Sequence, residues 1–181
     1  MSKLRLVRPS MEYREPYLSF YADWINSGEP MVPWVVRQDP IDFEAMLEFL
    51  YAEDSEEKVS HPHWVPHSTY WLLNEENLVV GAANIRHRLN DKLLNSGGHI
   101  GYGIRPGYRR RGYASALLAQ ALQVTKAMGL DQVLLVCDKD NLGSEKTILK
   151  QGGRFESEFT EDDGTIVKRF WIRLGGCHDG I

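Results

Sequence analysis

The chain has 181 residues, the size of one typical domain and enough to bury a substantial core. Hydrophobic residues are 43% and charged residues 25%, values ordinary for a soluble globular protein. A formal net charge of -4 gives no general pull toward nucleic acid or anionic membrane, so local clusters of charge matter more than the total.

In chain order, Leu4–Val7 reads as a short strand ended by Pro9-Ser10. From Met11 to Asn26, Tyr13, Tyr17, Phe20, Tyr21 and Trp24 recur at roughly helical spacing, and Ser27-Gly28 stops the helix. Glu29–Pro40 carries three prolines and reads as a loop, followed by a second helix over Ile41–Ala52. Glu53–Ser68, polar and interrupted by Pro62 and Pro66, reads as another loop. Thr69–Leu73 and Leu78–Arg86 form a hairpin pattern around Asn74–Asn77, and His99–Arg105 is the next strand. A strongly amphipathic helix follows, with Ala114, Leu117, Leu118, Ala121, Leu122 and Thr125 on one face and its end near Met128-Gly129. Gln132–Cys137 is apolar enough for a strand covered on both faces. Asn141–Gln151 reads as a short helix stopped by Gly152, and Arg154–Phe159 and Thr165–Leu174 as a hairpin around Asp162-Asp163-Gly164. With no internal repeat and no composition break, residues 1–181 read as one mixed α/β (α+β) domain.

Cys137 lies in an apolar strand, where a thiol stays protonated and packs, and Cys177 lies in a glycine-rich tail. Two cysteines so placed make no disulfide framework. The charged start of the chain lacks the apolar core of a signal peptide, and no run is long enough to cross a bilayer; a cytoplasmic protein is expected.

The chemistry concentrates in Ile100–Ala114, where a strand feeds a turn rich in Gly and Arg that opens into the amphipathic helix. The first N–H groups of a helix lack internal partners and carry the positive end of its dipole, so an anion is doubly favoured there. Gly112 and Ala114 keep side chains small, and Arg105, Arg109, Arg110 and Arg111 add positive charge. The spacing is neither the dinucleotide fingerprint nor a P-loop.

Arg109-x-x-Gly112-x-Ala114 resembles the coenzyme A signature [Q/R]-x-x-G-x-[G/A] of the GNAT superfamily of N-acetyltransferases. Asn141-Leu142-Gly143-Ser144, ending at Gly152, is similar to that family's N-x-x-[A/S] helix, and the order of elements from Leu4 to Leu174 fits its fold. The resemblance implies a central, mostly antiparallel mixed sheet of about six to seven strands flanked by about four helices. It implies acetyl-CoA as co-substrate, no metal, and a primary amine that attacks the thioester directly. The cofactor-binding residues implied are Tyr102, Gly103, Ile104, Arg109, Arg110, Arg111, Gly112, Tyr113, Ala114, Asn141 and Ser144. Main-chain groups of Tyr102–Ile104 would pair with the pantetheine amides, and a strand N–H near Tyr102 or Gly103 would meet the carbonyl oxygen.

One position departs from the family pattern. The helical Tyr that protonates the leaving thiolate corresponds to Ile148, and Asn141–Gly152 contains no Tyr. A non-catalytic acyl-CoA binding or sensing domain is therefore the alternative. For proton transfer the candidates are Tyr102 and His99, which alternation sends to opposite faces of their strand, with His87 as a further histidine. His61, His63 and His67 cluster in sequence, but without cysteine or helical spacing they read as a loop rather than a metal site. Glu53–Glu57 reads as a solvated acidic face, with attraction of a cationic amine as the sharper alternative, and the aromatic stripe of the first helix reads as core. The expected acceptor is a small-molecule or peptide amine, with no nucleic acid or membrane partner, and oligomeric state stays open, a homodimer included.

Overall fold

The computed structural model describes residues 3–175; Cys177 and its tail lie outside them. Seven strands and four α-helices follow one another as β1 (Arg5–Val7), α1 (Arg14–Ser27), α2 (Phe43–Tyr51), β2 (His67–Leu73), β3 (Val79–Arg86), β4 (Ile100–Ile104), α3 (Tyr113–Ala127), β5 (Gln132–Asp138), α4 (Leu142–Lys150), β6 (Arg154–Thr160) and β7 (Ile166–Arg173). The mixed α/β class and the antiparallel pairing stand as expected, but the strands form two sheets: β1-β2-β3-β4 and β5-β7-β6. Every ladder is antiparallel, and the break falls between β4 and β5.

Helices α1 and α2 cover one face of the first sheet. Tyr17, Phe20 and Trp24 of α1 are buried with Met46 and Leu50 of α2 against Trp71, and the Tyr17 and Trp71 rings stack at 4.2 Å. The aromatic stripe is therefore mainly core; each such side chain contributes roughly 1.5–3 kcal/mol on leaving water. Helix α3 covers the other face and reaches across the break. Leu117 packs on Leu72, Val80 and Ala83 of the first sheet, while Leu118, Ala121 and Leu122 pack with Val133 and Leu135 of the second. One helix thus belongs to both cores, holding the two sheets together behind the gap.

Boundaries shift by one to three residues from the sequence reading, the largest at α1, where Met11–Tyr13 form a 3-10 turn before the helix. Strand β2 begins at His67, inside the expected loop, because His67 pairs with Arg86 and its N–H donates to Glu53 at 2.9 Å. The Glu29–Pro40 loop contains a 3-10 turn at Trp34–Arg37, and a π-helical turn at Leu93–Gly97 precedes β4. Among the described residues no helix is long and apolar enough to cross a membrane.

Candidate active site

The gap between β4 and β5 is the centre of the site. Near its closed end the two strands are tied through His99, whose N–H donates to the Leu134 carbonyl at 2.8 Å. The imidazole adds a second tie, Nδ1 accepting from the Leu134 N–H at 2.9 Å. Beyond this point no ladder joins β4 to β5, so the strands diverge as a V. The free edge of β4 follows from its register with β3. Arg86 donates to the His99 carbonyl at 2.7 Å and Arg105 to the Val80 carbonyl at 2.9 Å. Alternation then turns the main chain of Gly101 and Gly103 toward β3, and that of Tyr102 and Ile104 into the gap.

A cleft of about 570 Å³ opens on the free edge of β4, between it, the start of α3 and α4, with no β5 residue in its wall. It brings together Tyr102, Gly103, Ile104, Arg109, Arg110, Gly112, Tyr113, Ala114, Asn141 and Ser144, residues drawn from β4, the arginine turn, the start of α3 and the start of α4. Arg111 and His99 are not in its wall. Arg111 instead donates to the Gly107 carbonyl at 3.4 Å and lies over the Tyr108 ring.

At the outer end, Gly112 caps α3 with φ at 81°, and no side chain accepts a bond from the first turn. A Cβ on Gly112 would meet nothing within 4 Å, which leaves the approach to these N–H groups open. Arg110, itself at φ 61°, has no ion-pair partner among the described residues. Arg109 is held by Glu29 at 2.7 Å and lies over Trp24. Arg105 does not join this cluster, contrary to its expected part in the positive turn. It is buried, ion-paired with Asp23 and bonded to Ser19 at 2.9 Å, so its charge is spent inside the fold. An oxyanion-rich ligand fits this end: unpartnered N–H groups, an unpaired guanidinium and free space coincide.

The middle of the cleft is walled by β4 and α4. Asn141 caps α4, its Oδ1 accepting from the Ser144 N–H at 3.1 Å. Tyr102 reaches across the V, and its hydroxyl lies 2.9 Å from Ser144 Oγ. Burial pushes the phenol up to about 12, although the Ser144 hydrogen bond opposes that, so it stays protonated over the physiological range. Ile148 is wholly buried in the core behind α4. Over Gly103 runs the Glu29–Pro33 loop; a Cβ there would collide with the Val32 carbonyl oxygen.

The histidines have separate local roles. Burial, then the Arg86 guanidinium, lowers His99 to about 4, and the neutral ring can accept from Leu134. His67 is buried beside Asn84, with Nδ1 and the Asn84 amide nitrogen 2.9 Å apart, while His61 and His63 are exposed. His87 Nε2 lies 2.8 Å from Ser68 Oγ. Among the described residues no group of three or more His, Cys, Asp or Glu is arranged to hold a metal ion. Cys137 is buried and its thiol is pushed up to about 11 by that burial, which suits packing. Arg86, read in the sequence only as the end of the strand Leu78–Arg86, lies beside Gly101 just past the inner end of the cleft.

The model of the Acetyltransferase (GNAT) family matches residues 37–152. No curated protein matches the chain. Several solved structures share its fold. Microcin C7 self immunity acetyltransferase MccE, solved with acetyl-CoA and AMP, has a TM-score of 0.67 at 16% identity, over 94% of this chain and 92% of that one. Spermidine N-acetyltransferase from Vibrio cholerae, a dodecamer, has a TM-score of 0.65 at 15% identity, over 95% and 94%. The structure of yncA from Salmonella typhimurium with its cofactor acetyl-CoA has a TM-score of 0.61 at 10% identity, over 97% and 96%.

Proposed function

Because the chain belongs to the GNAT acetyltransferase family, we propose that it is an acetyl-CoA-dependent N-acetyltransferase acting on a primary amine by direct attack. The observation that carries this reading is the cleft itself, open to anions at the α3 end and crossed in its middle by the Tyr102 hydroxyl. Residues 1–181 would form one such domain, working in the cytoplasm on a small-molecule or peptide amine, with a homodimer open.

The residues divide the work by position. N–H groups from Arg110 to Ala114 hold the pyrophosphate, and Arg109, Arg110 and, from outside the wall, Arg111 supply charge for the phosphates. Main-chain groups of Tyr102 and Ile104, facing the gap, pair with the pantetheine arm, and Gly103 lets the Glu29–Pro33 loop close over it. Asn141 and Ser144 line the opposite wall.

Bound acetyl-CoA supplies a thioester carbonyl open to attack. The Tyr102 N–H, turned into the gap and fixed by the sheet, is the donor for charge developing on the carbonyl oxygen. The amine attacks as the free base, forming the C–N bond as the C–S bond breaks. Tyr102 Oη gives its proton to the leaving sulfur and regains one from the amine through solvent. A phenol held at about 12 serves here as an acid rather than as a base near neutrality. Its hydroxyl comes from β4 to the wall of α4, which compensates for the burial of Ile148. His99 then works as a positioning residue that fixes the closed end of the V, rather than as the base.

The buried Ile148 also favours a second reading, a non-catalytic acyl-CoA sensor. Titration calorimetry with acetyl-CoA, combined with thiol release over an amine panel, separates the two. Binding with acceptor-dependent thiol release is expected. Binding without release under any amine would establish the sensor, and absence of binding would overturn both.

A further inference from the structure

Acidic groups around the β2–β3 end of the molecule are already engaged. Asp54 is shared by Arg8 at 3.5 Å and Lys58 at 2.6 Å, and Glu56 takes Arg88 at 2.7 Å. Glu53 accepts from Ser60 at 2.9 Å. Asp54 and Glu56 are therefore paired within the fold, whereas Glu53 has only a hydroxyl partner and Glu57 no ion pair among the described residues; the charge beside Gly101 is positive.

That charge is Arg86, the last residue of β3. Its Nη1 donates to the carbonyls of Gly97 at 3.3 Å and Gly98 at 3.4 Å. Among the described residues, Nε and Nη2 have no partner and no carboxylate pairs with the group. The residue keeps some exposure, yet burial of the guanidinium brings its pKa down to about 10, which leaves it fully charged near neutrality. A largely desolvated cation with only carbonyl dipoles as its protein partners is costly, and its Nε–Nη2 edge stays open to an acceptor.

Its location gives that edge a purpose. A Cβ on Gly101 would lie 3.4 Å from Arg86 Nη1, 3.5 Å from Nη2 and 3.5 Å from Pro33 Cβ. Gly101 follows Tyr102 down β4, and Pro33 follows Val32 along the loop; Tyr102 and Val32 are wall residues of the cleft. The guanidinium therefore sits one residue past the inner end, opposite the arginine turn that opens the outer end. Gly101 keeps some exposure, so the ground before Arg86 is not filled. On the same face, Asn84 is engaged with His67 and with the Trp34 indole N–H at 3.3 Å. Those neighbours are neutral or aromatic.

We propose that Arg86 anchors a carboxylate on the acceptor, so that the substrate class is an amino acid or a similar carboxylate-bearing amine. The Nε and Nη2 donors are the parallel pair that matches a carboxylate in bidentate fashion. With the carboxylate held there, the amino group of a compact acceptor points back to the inner end of the cleft, toward the Tyr102 N–H. A polyamine would bring positive charge to an uncompensated cation and is disfavoured. This inference rests on the acetyltransferase reading above.

The test uses the intact protein with acetyl-CoA and three acceptor sets: free amino acids, their carboxamides, and spermidine. The acids are expected to exceed their carboxamides in kcat/KM by about a hundredfold, because the carboxamide leaves the buried charge unpaired. Amine availability works against this result, since the carboxamides carry the less basic amine. Arg86→Gln should shrink the preference to within about threefold while the Kd for acetyl-CoA stays unchanged. In a second readout independent of turnover, amino acids should raise the melting temperature of the CoA-bound wild type and leave that of R86Q unmoved. If R86Q does not fold, the acid and carboxamide comparison in the wild type decides, with R86K keeping the charge but losing the fork.

Acetyl transfer that favours spermidine, or that ignores the carboxylate, would overturn the role of Arg86 and leave the acetyltransferase standing. Amino-acid binding through Arg86 without transfer to any amine would support the anchor and overturn the acetyltransferase. Absence of both transfer and amino-acid binding would overturn the anchor.

Discussion

Tyr102 holds two opposed positions at once: its N–H lies on the free edge of β4, and its hydroxyl meets Ser144 on α4. Removing only the hydroxyl separates these uses. Tyr102→Phe keeps the ring between Ile104 and the α3 core and leaves the main chain in place. It should lower kcat by roughly 10²-fold, the usual range for losing a general acid, with the Kd for acetyl-CoA little changed. Steady-state kinetics with calorimetry checks this, and an unchanged kcat would assign the proton to water. Residues were legible in the sequence where their role was local. Arg109, Gly112 and Ala114 could be read because strand, turn and helix are contiguous. Arg105 could not, since its meaning depends on Asp23, 82 residues away. The importance of Arg86 depends on carboxylates being absent around it, which no spacing records. Alternation reads His99 as facing away from Tyr102, but it carries no sign of the use of the His99 ring by the Leu134 main chain, which depends on the fold.

At the level of elements, the loop between α1 and α2 acts as one wall of the cleft, and its fit depends on the missing side chain at Gly103. The Val32 carbonyl lies where a Cβ would project, and Glu29 ties the same loop to Arg109 at 2.7 Å. Gly103→Ala should therefore push the loop outward and loosen both ends of that wall. Overpacking against a carbonyl costs about 1–3 kcal/mol, and acetyl-CoA binding should weaken as Arg109 loses its support. Urea denaturation and calorimetry on the variant measure the two effects; full stability with unchanged affinity would mean that the loop yields freely. Sequence periodicity located this stretch as a loop and located β4 as a strand, but it carries no information on which passes over which. The same holds for the sheets. The strands were recognisable one by one, whereas the order β5-β7-β6 and the break after β4 arise from long-range pairing.

For the molecule as a whole, the site exists because two sheets share one helix and are tied in front through His99. Helix α3 holds them from behind through Leu117 on one sheet and Leu118 on the other, and His99 ties them in front. The side-chain half of the front tie requires a neutral imidazole, because a protonated Nδ1 cannot accept from the Leu134 N–H. The folded-state pKa of about 4 lies below the ordinary 6.5, so the unfolded chain takes up the proton first. The stabilisation from His99 is then complete above pH 6.5 and is lost as pH falls toward 4. Its size should be on the order of 3 kcal/mol, and His67 and His87, both also lowered by burial, add in the same direction. Urea unfolding at pH 7.5 and pH 4.5 measures the total. His99→Asn isolates the tie, since an Asn Oδ1 can stand near the Nδ1 position and accept from Leu134 without titrating. That variant should lie within about 1 kcal/mol of the wild type at pH 7.5 and lose less stability on acidification. An equally steep acid loss in H99N would mean that the pH dependence comes from His67, His87 and the carboxylates, and that the imidazole bond adds little to the main-chain tie and α3.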